Sequence, residues 1–554
     1  MKFKLISALE KCFLDESIEQ KTEYTKGSCL KNELFHFGIC FQEDVFAPEW
    51  DWNTYMYLKV ESPIAEYVRV TRVEPVPVQL AANNSADDDY LRLTPGLYPD
   101  VMQPLEPNNR IIAAANLRSL MVEVDTKGEV EAGTYPITFV FTEEAKNKAE
   151  YKVTFELEII DAFLPEQELK FTQWFHCDGL KNYYRTETFS DEHFRIIENF
   201  AKTAVRYGIN MLLTPVFTSP LDTAIGGERD TMQLVGVIKE NGKYSFDFSL
   251  LDRWVDMCDR IGIKYFEISH FFTQWGAKAA PKIMATVDGE YKKIFGWETD
   301  SCGEEYKEFL SNFIPALLAF MKSKNGADKR CWFHISDEPN EQHLEGYLAA
   351  KSIVAPLLEG YPIIDALSSY DFYSSGAVEH PIPSTLHIEP FIENNVPDLW
   401  CYYCVGESHD VSNRFISMPL YRTRTIGTQF YKFNIGGFLQ WGYNFYNNQL
   451  SYASVNPFMT TDAEYFAPSG DAFSVYPGPD GSAWESIRLL AFYDAIQDLG
   501  ALKLCEKLKG RDFVMALMEE GIEPIKFNNY PKGIEYFHNL REKLNNAIKT
   551  SLGG

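Results

Sequence analysis

Between residues 191 and 367 one pattern recurs four times: a segment of helical period, a glycine, and a short apolar run. The helical segments are 191–207, 250–261, 309–324 and 344–358, with Gly208, Gly262, Gly326 and Gly360 behind them. The apolar runs that follow are 211–213, 265–268, 331–335 and 362–367. In the first unit Phe194, Ile197, Ala201 and Val205 fall on one helical face. The first two junctions, Arg206-Tyr-Gly-Ile-Asn210 and Arg260-Ile-Gly-Ile-Lys264, are closely alike. A glycine there suits the left-handed turn that ends a helix. Short strands separated by helices long enough to cross over pair in parallel. The pattern predicts a (β/α)8 barrel over residues 166–505, with a first strand at 170–175 and later ones at 399–404 and 437–441. Seven strands can be placed, and the eighth falls between 384 and 417. Ser482-Ala-Trp-Glu485 reads as the capping box of the closing helix.

Residues 1–165 carry strand signals instead, at 55–60, 66–73, 119–124, 135–141 and 151–160. Val153, Phe155, Leu157 and Ile159 alternate with Thr154, Glu156 and Glu158, the pattern of a sheet with one wet face. An antiparallel β-sandwich is expected, joined to the barrel through the polar, proline-bearing stretch 163–168. Residues 506–554 read as a helical extension. A chain of 554 residues has room for such a division.

In a parallel α/β domain the carboxyl ends of the strands carry the chemistry. The run from Cys331 to Ile335 ends in Ser336-Asp337-Glu338-Pro339, two adjacent carboxyls on a corner stiffened by proline. The plain alternative is that Asp337 and Glu338 cap the helix that begins near Asn340. The other strand ends supply Trp174, His176 and Asp178; Gln274 and Trp275; Tyr370; Tyr403; and Trp441 and Tyr443. Carboxyls among indoles and phenols describe a sugar pocket, although each ring taken singly also suits a core.

Acidic residues outnumber Lys plus Arg by 79 to 52, a formal charge of −27, so nucleic acid and anionic membrane are not expected partners. The ten cysteines are scattered and lie mostly in apolar runs, as reduced buried thiols do. Glu10 and Lys11 interrupt the amino-terminal apolar stretch before a secretory signal forms, and no apolar run is long enough to span a bilayer. A cytoplasmic location is expected; the oligomeric state is not encoded legibly.

Glycoside hydrolysis ordinarily needs two carboxyls on opposite sides of the scissile bond. Here they are sequence neighbours, and Leu439-Gln-Trp441 offers an amide where an opposing nucleophile would sit. This points to the substrate's own 2-acetamido oxygen as nucleophile, with Glu338 as acid and base and Asp337 orienting the acetamido group. Neither metal nor organic cofactor is called for. The alternatives are a two-carboxylate glycosidase using Glu267 or Asp365, a non-catalytic carbohydrate-binding protein, and a structural protein whose strand-end rings are core.

Ser336-Asp-Glu-Pro339, Thr172-Gln-Trp-Phe-His176, Tyr98-Pro-Asp100, Gly436-Gly-Phe-Leu-Gln-Trp-Gly442, Tyr476-Pro-Gly-Pro-Asp-Gly-Ser482 and Ser486-Ile-Arg488 together resemble glycoside hydrolase family 123. The resemblance implies a sandwich followed by a barrel, and a retaining exo-β-N-acetylgalactosaminidase working through an oxazoline. By motif, Asp337 resembles the acetamido-orienting residue and Glu338 the acid/base. Gln440 and Gly500 stand where the family would lead one to expect an aromatic residue and an arginine.

Overall fold

The computed structural model describes residues 1–43, 55–105, 109–112, 115–144 and 149–553. Its first part is two five-stranded sheets. One runs Lys2–Ser7, Leu34–Gln42, Arg118–Asp125, Val68–Val78, Gly96–Pro104; the other runs Lys26–Leu30, Glu150–Ile160, Gly133–Glu143, Tyr55–Glu61, Arg110–Ile112. Phe155, Leu157 and Ile159 point into an apolar core shared with Phe37, Ile39 and Phe139. The sandwich departs from the antiparallel expectation at one edge, where Lys26–Leu30 runs parallel to Glu150–Ile160. That strand reaches its sheet by crossing over, so no hairpin dictates its direction.

The second part is built on a six-stranded parallel sheet, ordered Cys331–Trp332, Tyr265–Ile268, Met211–Thr214, Lys170–Gln173, Gly437–Gln440, Trp400–Tyr402. A parallel pair, Ile364–Ala366 with His380–Ile382, lies beyond both of its edges. Isolated parallel bridges join Phe333 to Ile363 and Ser384 to Tyr402. The strand that sequence could not place is therefore His380–Ile382, just ahead of the expected interval. It is three residues long with Pro381 at its centre, which removes a ladder donor and erases the strand signal. The 331–335 run narrows to Cys331–Trp332 for its regular pairing.

Helices Asp191–Arg206, Ser249–Ile261, Glu304–Ser323 and Leu344–Val354 connect the strands. The four recurring glycines all adopt positive φ, at 84°, 94°, 74° and 86°, which explains the repeat that betrayed the architecture. Ser482–Glu485 is not a capping box. Ala483–Glu485 is a strand paired with Val475–Pro477, and Ser486 caps the helix Ile487–Lys509 by accepting from Leu489 N. A four-stranded sheet made of the hairpins 236–247 and 283–295 is inserted after the second and third strands. No helix among the described residues is long and apolar enough to cross a membrane.

The two parts meet across buried charge. Asp100, at the end of the sandwich, takes two hydrogen bonds from the Arg488 guanidinium, at 2.7 and 2.8 Å, and one from the Tyr476 hydroxyl at 2.6 Å. Neither side chain of the ion pair is exposed. Arg488 also donates to the carbonyls of Gly470 and Phe473. His36 lies 2.8 Å from Asp494 and beside Glu123. The last helix, Ile534–Ser551, packs on the same seam, with Arg541 bridging Glu33 and Asp498.

Truncating Arg488 would leave Asp100 buried without compensation, so Arg488→Ala should cost about 3–5 kcal/mol in urea unfolding, and Asp100→Leu combined with Arg488→Met should recover most of it. Burial works against charging His36, but Asp494 and Glu123 outweigh it and lift its pKa to about 9 from 6.5. Its stabilising contribution is complete below pH 6.5 and vanishes as pH rises through 9. A His36→Gln protein should show a Tm deficit at pH 6 that shrinks at pH 9.5.

Candidate functional site

The corner at 336–339 is stitched to the loop that follows the Tyr265–Ile268 strand. Phe272 N donates to Ile335 O, the Ser336 hydroxyl to Thr273 O, and Trp275 N to Asp337 O at 3.1 Å. Glu338 is held at φ 43°, a left-handed conformation that costs a non-glycine residue about 1 kcal/mol and concentrates at functional sites. Neither carboxyl is the cap of the next helix. Asn340 accepts from Gln342 N and opens the helical turn at Glu341–His343, leaving Asp337 and Glu338 free for other work.

Both line a cleft of about 240 Å³ at the carboxyl ends of the strands. Its walls include Trp174, Trp275, Trp441, Tyr402 and Phe466, with Asp222 as a third carboxyl. The Tyr402 hydroxyl donates to Glu338 Oε1 at 2.9 Å. Burial raises the Glu338 pKa; the Tyr402 hydrogen bond opposes this and the Glu407 charge adds to it. Burial, then the charges of Glu338 and Asp222, push Asp337 well above the carboxylate range, with His334 pulling weakly the other way. A larger opening, lined by Glu168, Lys170, Asp398 and Lys503, lies at the amino ends of the strands and holds none of these residues.

Under the cleft runs a line of fully buried polar groups. Glu267 accepts from the Thr172 hydroxyl at 2.5 Å and the Trp174 indole at 2.7 Å, and lies 2.8 Å from His334 Nε2. His334 Nδ1 is 3.4 Å from Asp365, which also accepts from Ile335 N and from the Tyr347 hydroxyl. Burial disfavours the charged imidazole, but Asp365 and Glu267 raise its pKa to about 9. His270 stacks on it with ring centroids 4.1 Å apart; burial and that neighbouring charge hold His270 neutral. Donor atoms of His270, His334 and Asp365 lie within 4.8 Å of one another. His334 also lies between the two carboxyls of Glu267 and Asp365, which favour its protonated form, so a cation here would have to displace that proton.

The structure sorts the sequence-predicted residues. Asp337, Glu338, Trp174, Trp275 and Trp441 meet in the cleft. Trp441 is fixed there by its indole N–H, 2.9 Å from Asp471. Trp275, 40 % exposed and at φ 56°, forms the rim. Gln274 is buried behind the wall, where its side-chain oxygen accepts from Asp222 N. His176 and Asp178 are not cleft residues. Arg229 grips Asp178 through Nε and Nη2 and contacts His176 Nδ1 at 3.2 Å, and burial with that cation lowers the His176 pKa to about 4. Tyr370 starts a short helix and packs on Tyr373 and Phe391. Tyr443 is buried, donating to Phe200 O. Tyr403 points into the shell of Phe438 and Phe492, and its neighbour Tyr402 takes the cleft position. That one-residue slip follows from strand parity, which a continuous apolar run does not reveal. Glu267 and Asp365 are buried under the floor, so neither can serve as an opposing catalytic carboxyl.

Sequence reasoning missed Asp222, Cys404, Val405, Ala366, Leu439 and Phe466. Tyr402 and Tyr403 both stand at the strand end in the sequence, and of the two Tyr403 was expected in the pocket. Asp222 was not, because it lies eight residues beyond the Met211–Thr214 strand in a loop without periodicity. The cysteine expectation holds: all ten are free thiols, eight of them buried.

No match to the chain was found among curated proteins. Residues 174–505 match the family described as glycoside hydrolase 123, catalytic domain. Among solved structures, a family 123 glycoside hydrolase from Clostridium perfringens, described in a study of glycolipid glycan hydrolysis, superposes with a TM-score of 0.72 at 14% identity, over 99% of this chain and 97% of that one. A Bacteroides ovatus family 5 xyloglucanase gives a TM-score of 0.26 at 7% identity, over 89% of this chain and 100% of that one. A family 5 mannosidase from Rhizomucor miehei gives 0.31 at 11% identity, over 62% and 95%. With more than half of its length matched and two adjacent carboxyls in an aromatic cleft at the strand ends, the chain belongs to glycoside hydrolase family 123.

Proposed function

We propose that the protein is a retaining exo-glycosidase that releases terminal β-linked N-acetylgalactosamine by participation of the substrate's 2-acetamido group. The observation that carries the reading is the pair Asp337 and Glu338, side by side in an aromatic cleft whose floor carboxyls are locked away from substrate. We further read the six-stranded sheet and the strand pair, linked by single bridges at Phe333 and Ser384, as one closed (β/α)8 ring. The glycolipid glycans handled by the similar Clostridium enzyme give the substrate class to try first.

Burial raises both carboxyls above their ordinary values, and the charge of Glu338 adds to the rise at Asp337, which favours a shared proton on the pair. An acetamido N–H seeks an acceptor and so selects Asp337 as the ionised member, leaving the proton on Glu338. Glu338 delivers it to the glycosidic oxygen while the acetamido carbonyl oxygen bonds to the anomeric carbon. The leaving alcohol departs, and Asp337 offsets the positive charge that grows on the oxazolinium ring. Glu338, now a carboxylate, takes a proton from water as that water opens the ring. Two displacements at one carbon restore the β configuration. The chain's own side chains supply every proton transfer.

Hydrolysis should be seen with aryl β-glycosides of acetamido sugars and not with the plain galactoside or glucoside; turnover of the plain sugars at a similar rate would refute acetamido participation. Glu338→Gln should slow poor leaving groups by about 10²–10⁴-fold with the fold intact. The Tyr402 hydroxyl stabilises the carboxylate form of Glu338, so Tyr402→Phe raises the acid's pKa. Activity that depends on protonated Glu338 falls as pH rises through that pKa, and the alkaline limb of kcat/KM should therefore move up by about one pH unit. An unmoved limb would mean that Glu338 is not the titrating acid.

A further inference from the structure

Among the described residues Asp222 is a carboxyl without a hydrogen-bond partner, in a cleft it shares with the indoles of Trp174, Trp275 and Trp441. It lines the same cavity as Asp337 and Glu338. Its backbone is clamped on both sides: its N–H donates to Gln274 Oε1 at 2.7 Å and its carbonyl accepts from the Ser451 hydroxyl at 2.8 Å. The loop is tied once more by Ala224 N to Leu450 O. The residue itself sits at φ 44°, and Leu450 and Ser451 opposite it are left-handed as well, at 56° and 55°. Strain held from both sides is what a side chain aimed at a ligand requires.

Among the described residues no hydrogen bond or ion pair reaches the Asp222 carboxyl. Arg229 is the cation that influences it, yet its donors are spent on Asp178, His176 and the carbonyl of Leu221. Burial accordingly lifts Asp222 to about 6, with Arg229 opposing and Glu338 adding. The Asp222 side chain is half-buried at the cleft surface, so its open acceptor positions face the space a sugar would fill, and a sugar ring brings hydroxyl donors. Asp337 and Glu338 are committed to the reacting end of the sugar, at the acetamido group and the glycosidic oxygen.

We propose that Asp222 is a specificity-determining residue that accepts a hydrogen bond from a hydroxyl of the terminal sugar ring remote from the anomeric carbon. This rests on the assignment of the cleft to an acetamido sugar made above. The residue selects by penalty: a bound sugar covers the half-buried carboxyl, and one whose hydroxyl does not reach it displaces water from Asp222 without replacing the hydrogen bond.

The test compares wild type with Asp222→Asn, nearly isosteric and checked for an unchanged Tm, on the aryl β-N-acetylgalactosaminide and its 3-, 4- and 6-deoxy analogues. One deoxy analogue should lose about 10–100-fold in kcat/KM with wild type, the worth of a hydrogen bond to a charged group. In Asp222→Asn the parent substrate should lose a comparable factor, and the penalty for that deoxy analogue should fall to about threefold or less. An undiminished deoxy penalty in the variant would overturn the proposal. So would an α-glycosyl azide formed by Asp222→Ala in azide, since that product would make Asp222 a nucleophile. If wild type turns over no acetamido glycoside, the function reading has failed independently. Titration of the indole fluorescence of Trp174, Trp275 and Trp441 with methyl β-galactoside, methyl β-glucoside and their deoxy counterparts then reads the same pattern in Kd. Absence of binding, or equal deoxy penalties in wild type and variant, would again overturn the role given to Asp222.

Discussion

Everything at the strand ends hangs on Glu267, a carboxyl with no solvent contact in the interior of the parallel sheet. It takes one hydrogen bond from each of two residues at the first strand end, Thr172 and Trp174, and faces His334, three residues before Asp337. A buried carboxyl is tolerated only when such partners surround it, and their geometry is then dictated. The Trp174 wall and the 331–339 corner are thus positioned by one demand for solvation. His334 passes that demand on to Asp365 and, through it, to Tyr347 on the following helix. The cleft above is lined with strained or polar groups because the layer beneath is rigid enough to hold them.

The cleft concentrates three carboxyls and, among the described residues, gives them no cation of their own. Arg229, the nearest candidate, is drawn off by Asp178. That choice keeps Asp337, Glu338 and Asp222 above the ordinary carboxylate range, which is the condition under which an acid can act near neutrality. The left-handed residues Asp222, Trp275 and Glu338 surround the same space. Backbone strain and unfavourable electrostatics collect where substrate would sit, and the sandwich and helical shell absorb their cost.

Much of this was written plainly in the chain. The helix-glycine-strand repeat exposed the parallel sheet because only glycine passes easily through the left-handed turn that ends each helix. The carboxyl pair was visible because charge directly after an apolar strand has few uses. The failures have equally physical origins. His380–Ile382 is too short, with a proline inside, to show periodicity. Tyr403 was preferred to Tyr402 because composition does not state which face of a buried strand looks inward. His176 and Asp178 had the right chemistry at the right strand end, but Arg229, some fifty residues away, had already claimed them. Asp222 depends on Gln274 and Ser451, partners brought together by the fold alone.

The Asp100 and Arg488 pair bears on how such a chain can be divided in evolution. Two of the motifs that mark the family, Tyr98-Pro-Asp100 and Ser486-Ile-Arg488, meet at this seam and not in the cleft. Arg488 reaches from the helix Ile487–Lys509 toward carbonyls at Gly470 and Phe473, on the segment that also carries Asp471, the anchor of the Trp441 wall. The parallel-sheet part severed from its sandwich would inherit a guanidinium without its carboxylate in a region that shapes the cleft wall. The sandwich is therefore a counter-ion as much as a module, and shuffling it away would require the part that holds the cleft to be rewritten.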